Sequence, residues 1–215
     1  GLPILLMTVL AFIQIRKSVW NALLSFGVLI LLGFEAWLGK LVVDGNLVPN
    51  QITIHMMGSV AIVLLLLALR ARNDEGSKEL PKSILRVLVA LLVAVVVQIF
   101  LGTQTRELVD AAVDHGVTDR LEIIPSISEA MPRIHRSFAW IVIILTSVLF
   151  YLRRVKAAVI PGFSALVFAI GLEWAIGVVL YFLGLPKAMQ PVHLVLSIGI
   201  LASISYPLFL ALRKS

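Results

Sequence analysis

Long apolar stretches separated by short polar connections make up most of the chain. Such stretches predict membrane-spanning helices, because a helix crosses a bilayer with roughly 20 consecutive apolar residues. A shorter opening stretch, residues 2–15, is interpreted as a helix cut near its outer end. Six further stretches are predicted to span the membrane: 20–43, 52–69, 84–105, 138–152, 157–183 and 189–212.

Basic residues lie on alternate connections between these stretches. Cytoplasmic connections of membrane proteins carry an excess of Lys and Arg, so the alternation predicts seven crossings with a cytoplasmic C-terminus. The long connection 107–133 is acidic instead. We expect it to lie over the outer mouth of the bundle and to be helical at its start. Of the 18 Lys and Arg residues, 12 follow the alternation: Arg16, Lys17, Arg70, Arg72, Lys78, Lys82, Arg86, Arg153, Arg154, Lys156, Arg213 and Lys214.

The composition supports a membrane protein and excludes several kinds of metal and cofactor site. Hydrophobic residues make up 60% of the chain and charged residues 14%, which leaves too little polar surface to cover a globule in water. The sequence has no cysteine, which excludes disulfides, thiolate metal sites, iron–sulfur clusters and covalent c-type haem. The net charge of +6 is explained by the topology, so no nucleic-acid partner is expected.

Two similar segments indicate an internal repeat. Glu35-Ala-Trp-Leu-Gly39 precedes His55, and Glu173-Trp-Ala-Ile-Gly177 precedes His193, with glutamate and histidine 20 positions apart in both. We therefore predict an all-α integral membrane fold of tandem duplicated four-helix bundles, related by an offset of 138 and equal in orientation. The parent protein should have eight transmembrane helices, of which about seven are present and the first is truncated.

The repeat also predicts domain boundaries. Residues 1–72 form an incomplete N-terminal helical repeat, residues 73–83 a cytoplasmic linker, and residues 84–215 the C-terminal four-helix repeat. The offset of 138 places the counterpart of His135 just upstream of Gly1. This is the reason for interpreting the first helix as truncated.

Three of the four histidines lie at the outer ends of predicted helices: His55, His135 and His193. Ionisable side chains are costly within the membrane and are functional candidates there. His135 and His193 begin two helices of one repeat at the same depth, so they can face each other and hold a haem iron from opposite sides. The alternative is an interfacial histidine that caps a helix. His115, in the acidic connection, is interpreted as a solvated loop residue.

Four other charged residues are candidates for supporting roles. Arg106 and Arg136, near the outer interface, can pair with a haem propionate or extend toward lipid headgroups. Glu35 and Glu173 each stand one helical turn before a glycine. Their recurrence favours a structural role, such as interhelical hydrogen bonding, over a proton relay.

Several short motifs follow one another along the chain. They are Glu35-Ala-Trp-Leu-Gly39 leading to His55, Gln98-Ile-Phe-Leu-Gly102-x-x-x-Arg106, His135-Arg136 at a helix start, and Gly184-Leu-Pro186 before His193. In combination they resemble the haem A synthase family of bacterial and mitochondrial membranes, over essentially the whole chain. The resemblance implies an oxidoreductase that converts the C8 methyl of haem O to the formyl group of haem A, for cytochrome oxidase biogenesis.

The resemblance also implies roles for individual residues. A b-type haem (haem b) would lie in the C-terminal half between the axial ligands His135 and His193, with Arg136 and Arg106 as further cofactor-binding residues. His55 would bind the iron of the substrate, haem O, in the N-terminal half.

Two features of the chain differ from the family pattern, and two residues of that pattern are expected upstream of the given sequence. The outer-loop cysteine pair of many members is absent, and glutamate occupies positions 35 and 173 where glutamine is common. The second N-terminal histidine and the essential catalytic glutamate are expected upstream of Gly1.

The same resemblance implies partners and a cellular location. Haem O synthase and cytochrome oxidase assembly proteins are the candidate partners, together with the lipid membrane and an electron donor or acceptor. The bacterial plasma membrane is the expected location.

Two other functions are compatible with a helical membrane repeat. One is a b-type cytochrome subunit that relays electrons to or from quinone without modifying haem. The other is a transporter, since parallel repeats also build those. A transporter would need polar or broken helices near the middle of the bilayer, whereas the histidines lie at its outer edge.

Overall fold

A computed structural model describes residues 2–14, 18–44, 50–76, 79–127 and 130–213, with the backbone alone for 42–44. Within these ranges the secondary structure is entirely helical. The helices are α1 (Leu2–Ile13), α2 (Val19–Asp44), α3 (Gln51–Arg72), α4 (Lys82–Asp114), α5 (Arg120–Ser126), α6 (Ala130–Val155), α7 (Phe163–Phe182) and α8 (Met189–Leu212).

Six of the helices are long and apolar enough to cross a membrane: α2, α3, α4, α6, α7 and α8. The prediction of an all-helical integral membrane protein is confirmed. The seventh predicted crossing corresponds to α1, a 12-residue apolar helix that is shorter than a bilayer span. Large apolar side chains remain exposed along the spans, as expected for surfaces that face lipid.

Several predicted helix boundaries were wrong. Helix α6 begins at Ala130 rather than 138, and α4 continues to Asp114 rather than ending at 105. Polar side chains in both extensions contact neighbouring elements: Arg136 lies over the ring of Tyr181, and Glu107 accepts hydrogen bonds at the start of α3. Helix α7 begins at Phe163 rather than 157, because Ala157 and Gly162 have φ of 48° and 72°, which interrupts the helix at both positions.

The offset found in the sequence has a structural counterpart in α3 and α8. These helices begin at Gln51 and Met189, which are 138 positions apart. They pack side by side and run in the same direction, since Arg213 at the end of α8 donates to the carbonyl of Ala71 at 3.0 Å and of Arg72 at 3.1 Å, at the end of α3.

Buried threonines follow the same offset. Thr8 and Thr146 each donate a hydroxyl hydrogen bond to the carbonyl four residues earlier, at 2.8 and 2.7 Å. Such bonds satisfy a buried hydroxyl within its own helix. The division into domains at 72 and 84 remains a prediction.

The apolar core is centred on α4. This helix packs against α6 and α8, while α3 packs against α2 and α8, and α7 packs against α8. The largest fully buried side chains include Leu88, Leu91, Leu149 and Ile204. In the described part of the chain, α6 and α8 have no extensive direct packing, although they carry His135 and His193.

The two ends of the bundle differ in chemistry. We call the end that carries His55, His135 and His193 the histidine end. The described members of the alternating basic set gather at the opposite end, where α3, α6 and α8 terminate and α4 begins. Four members, Arg16, Lys17, Lys78 and Lys214, lie outside the described residues.

A polar cluster at this basic end joins α3 to α8. The hydroxyl of Tyr206 donates to Asp74 Oδ2, and the backbone N–H of Gly76 donates to Asp74 Oδ1 at 2.8 Å. Arg70 and Arg213 lie nearby, and Arg213 also donates to the carbonyl of Asp74. The Tyr206 hydrogen bond, the Gly76 hydrogen bond and the two arginines lower the pKa of Asp74 below its ordinary value of 3.8.

We expect Asp74→Asn to remove a pH-dependent part of the stability. A carboxyl whose pKa is lowered by folding stabilises the protein above its unfolded pKa, and the contribution disappears as pH falls through the folded value. The difference in Tm between the wild type and Asp74→Asn should therefore be largest near neutral pH and shrink below about pH 4. Thermal unfolding in detergent at a series of pH values measures this difference in Tm.

Tyr206→Phe supplies the matched control for this prediction. It removes the first hydrogen bond to Asp74 and keeps the ring, so the pH dependence of stability should weaken without disappearing. A Tm difference between wild type and Asp74→Asn that is constant with pH would show that the carboxylate has no such role.

Candidate functional site

Three helices place a histidine in their second turn at the histidine end. His55 is in α3, His135 in α6 and His193 in α8. The three side chains were predicted at the openings of helices. His135 lies in the second turn rather than at the opening of its helix because α6 begins at Ala130, before its apolar stretch.

In the N-terminal half, His55 faces a buried glutamate on the neighbouring helix. Nδ1 of His55 lies 2.6 Å from Oε2 of Glu35 in α2, and the Glu35 side chain is 7% exposed. Ser59 Oγ donates to the same carboxylate oxygen at 3.4 Å. The carboxylate lies directly over Gly58, where an added Cβ would be 1.9 Å from Glu35 Oε1.

The C-terminal half repeats this contact. Nδ1 of His193 in α8 lies 3.1 Å from Oε2 of Glu173 in α7. The approach is not aligned as a hydrogen bond, and neither atom has another partner among the described residues. Gly177 lies beneath the imidazole, since a Cβ there would be 3.6 Å from His193 Cε1.

His135 is held differently. Its imidazole lies against Gly102 of α4, where an added Cβ would be 3.1 Å from His135 Cε1. Gln98 Nε2 donates to the backbone carbonyl of His135 at 3.1 Å. Nδ1 of His135 is buried and unpaired within the described residues. The structure therefore places both predicted ligands of the C-terminal half at the histidine end, each imidazole beside a glycine.

The two predicted arginines also lie at the histidine end, and both have partners. Arg106 makes a bidentate contact with Asp110, at 2.9 Å from Nε and 2.6 Å from Nη2, and donates from Nη1 to Gln190. The guanidinium of Arg136 lies over the ring of Tyr181 at 4.7 Å. A ligand carboxylate at either arginine would have to compete with or share these contacts.

Glu107 links the two halves beside the site. It accepts from the backbone N–H groups of Asn50 and Thr53, both at 3.1 Å, and from the Thr53 hydroxyl at 2.8 Å. Thr103 and Gln104 also contact the Thr53 hydroxyl, at 3.0 and 2.8 Å. A carboxylate at a helix N-terminus satisfies free N–H groups and complements the helix dipole. Glu107 thus fixes the end of α3 that carries His55.

The connection predicted to cover the outer mouth contains α5. Asp119 caps this helix by accepting from the Leu121 N–H at 2.9 Å, and Arg120 Nη1 donates to the Leu185 carbonyl at 2.6 Å. Gly184 has φ of 67°, and an added Cβ would be 3.0 Å from the Arg120 backbone. Glycine at 184 therefore allows α5 to dock onto the turn between α7 and α8. His115 is exposed at the C-terminal cap of α4.

Sequence reasoning missed some of these contacts. It treated Glu107 as one of several acidic loop residues, although nothing in a single sequence pairs it with Asn50 and Thr53. It assigned Glu35 and Glu173 to interhelical bonding without naming a partner. The common interval of 20 positions to His55 and His193 was the signal for that partner.

These features define an all-helical, multi-pass membrane protein with buried glutamate–histidine contacts repeated at one end. The family model COX15-CtaA, cytochrome oxidase assembly protein, matches residues 1–205, so the chain belongs to that family. The haem A synthase family identified from the motifs is thereby confirmed, and with it a role in cytochrome oxidase assembly. The comparisons with curated proteins and with solved structures give no significant match.

Proposed function

We propose that the chain is a haem A synthase-like oxidoreductase that converts the C8 methyl of haem O to a formyl group. The observation that carries the proposal is the pair of equivalent glutamate–histidine contacts, one in each half, in a member of the cytochrome oxidase assembly family. Two equivalent imidazole sites suit a protein that handles one haem as cofactor and another as substrate. The chemistry itself is supplied by haem, which mediates electron transfer when bound.

His135 and His193 are the proposed axial ligands of haem b in the C-terminal half. Their helices, α6 and α8, have no extensive direct packing among the described residues, and a haem bound by both imidazoles would lie between them. Gly102 and Gly177 present surfaces without side chains beside the imidazoles. His135 Nδ1 is buried and has no hydrogen-bond partner in the described part of the chain. No three His, Cys, Asp or Glu side chains cluster in the described residues, and haem ligation requires only one or two.

His55 is the proposed ligand of the substrate haem. Its side chain is 49% exposed, so it is accessible to an incoming molecule, while Glu35 behind it is buried. Glu107 and Thr53 anchor the first turn of α3. The chain would therefore hold the histidine at a fixed position while the substrate enters and leaves.

The arginines provide a second contribution to haem binding in this proposal. Arg106 and Arg136 lie at the same end as His135 and His193, and a haem propionate would share Arg106 with Asp110 or bind Arg136 beside Tyr181. Asp110 and Gln190 hold Arg106 in position, so the guanidinium is already oriented before the haem arrives.

The proposed setting is the bacterial plasma membrane with the C-terminus in the cytoplasm. The positive-inside rule supports this orientation, because the described basic residues gather at the end opposite the histidines. The substrate would come from haem O synthase or from the membrane, and the product would pass to cytochrome oxidase assembly proteins. Conversion of the methyl to the formyl group removes four electrons and adds one oxygen atom, so the reaction also needs either water together with an electron acceptor, or dioxygen together with an electron donor.

The haem composition of membranes with and without the chain tests this function. Only a synthase changes the ratio of haem O to haem A. The alternative, a b-type cytochrome that exchanges electrons with quinone, binds haem through the same two histidines and leaves that ratio unchanged.

A further inference from the structure

Glu35 and Glu173 each lie against Nδ1 of a histidine on the next helix. We propose that they are positioning residues, which hold His55 and His193 in the tautomer that carries its proton on Nδ1 and leaves Nε2 free. The consequence for iron binding rests on the proposed function, whereas the assignment of the tautomer is independent of that function.

The chemistry of the two groups supports this assignment. An ionised carboxylate can only accept a hydrogen bond, so the imidazole nitrogen that faces it carries the proton. In a neutral imidazole the other nitrogen then has the free lone pair that a metal requires. Histidines that bind metals commonly donate their second N–H to a carboxylate in this way.

The contact occurs twice, between equivalent positions. Glu35 and His55 are 2.6 Å apart, and Glu173 and His193 are 3.1 Å apart. In the second pair the facing atoms have no other partner among the described residues. Because an unpaired buried polar group is destabilising, each atom is the natural partner of the other. An interfacial histidine that merely caps a helix would need no glutamate.

The first pair is held more closely, and Gly58 explains why. An added Cβ at Gly58 would lie 1.9 Å from Glu35 Oε1 and 2.8 Å from its Cδ, so the carboxylate occupies the space that any larger residue would need. Ser59 contacts the other carboxylate oxygen at 3.4 Å. The position equivalent to Gly58 in the second half is Leu196. The glutamate–histidine contact in that half is longer, at 3.1 Å.

The experiment measures the histidine tautomers directly. The full chain, labelled with ¹⁵N-histidine and prepared without haem in lipid nanodiscs, gives nitrogen resonances that distinguish a protonated ring nitrogen from one with a lone pair. We expect the Nδ1–H form at His55 and His193. Glu35→Ala should change only the His55 signals, and Glu173→Ala only those of His193. Histidine-to-glutamine variants assign the resonances, and the exposed His115 serves as reference.

Glutamine variants separate positioning from a general structural role. Glutamine keeps an acceptor oxygen but also carries an N–H₂ donor, so Glu35→Gln and Glu173→Gln should weaken the preference for the Nδ1–H form without removing the contact. In the haem-loaded protein, Glu173→Ala should lower haem affinity by about 10- to 100-fold, whereas Glu173→Gln should lower it less.

A steric variant tests the first pair without removing a charge. Gly58→Ala displaces the Glu35 carboxylate and should alter the His55 signals as Glu35→Ala does, with His193 unchanged. Gly39→Ala is the matched control, because an added Cβ there has nothing within 4 Å. It should leave both histidines unaffected.

Two results would overturn the proposal. One is the Nε2–H form at His55 and His193 in the wild type, which would mean that the carboxyl donates instead of accepts. The other is an unchanged His55 spectrum in a folded Glu35→Ala variant. The tautomers are measured without haem, so the two proposals can fail separately. A chain with the expected tautomers that makes no haem A would contradict the proposed function alone.

Discussion

Replacing His135 or His193 with alanine is expected to abolish the six-coordinate, low-spin haem spectrum of the purified protein. Each substitution removes one of two proposed axial ligands, and the remaining imidazole cannot supply the strong ligand field on both faces of the iron. The two variants should lose the signal to a similar extent, since both imidazoles are proposed ligands of the same haem. Optical and electron paramagnetic resonance spectra measure the loss of low-spin haem.

His115→Ala is the control for this pair of variants. His115 is exposed at the end of α4 and belongs to neither proposed haem site, so the low-spin spectrum should be unchanged. Retention of the wild-type spectrum in both His135→Ala and His193→Ala would show that the ligands lie elsewhere.

His55→Ala is expected to abolish the production of haem A while preserving the low-spin haem of the C-terminal half. The substitution removes the proposed contact to the substrate iron but touches neither His135 nor His193. The yield of haem A should therefore fall while the content of low-spin haem stays unchanged. Extracted haems give the first quantity, and the optical spectrum of the same preparation gives the second.

Thr53→Ser is a matched control on the same helix. It keeps the hydroxyl that bonds to Glu107 and Thr103, so the first turn of α3 and the yield of haem A should both be preserved. Unaltered haem A production in His55→Ala would remove this histidine from the substrate site.

Much of the fold follows from local sequence pattern. Apolar stretches are visible in one sequence because each helix needs its own run of apolar residues to cross a bilayer, and all six long spans were predicted from them. The ends were less accurate. Helix α6 extends to Ala130 and α4 to Asp114 through polar residues whose neighbours lie elsewhere in the chain.

The candidate site was predictable where it followed the repeat. The equal spacing between glutamate and histidine in both halves drew attention to His55 and His193, and the structure brings each to its glutamate. The spacing of Arg106 and Asp110, one helical turn, also indicates their ion pair. From the sequence, this arginine was assigned only to a haem propionate or to lipid headgroups.

Contacts between distant segments lay beyond the sequence pattern. Tyr206 and Asp74 are 132 positions apart, and Glu107 lies more than fifty positions from the backbone groups it binds. Nothing periodic links such residues, since their meeting depends on how whole helices pack. Knowledge of the packing of α3 against α4 and α8 was required to find them.

The ratio of haem A to haem O tests the central claim most directly. The full-length protein is expressed in a membrane that already contains haem O and lacks haem A, and the extracted haems are separated and identified. The proposed function predicts that haem A forms with the wild type and fails to form with His55→Ala. If the wild type binds low-spin haem while haem O stays unconverted, the chain is a b-type cytochrome and the synthase proposal is wrong.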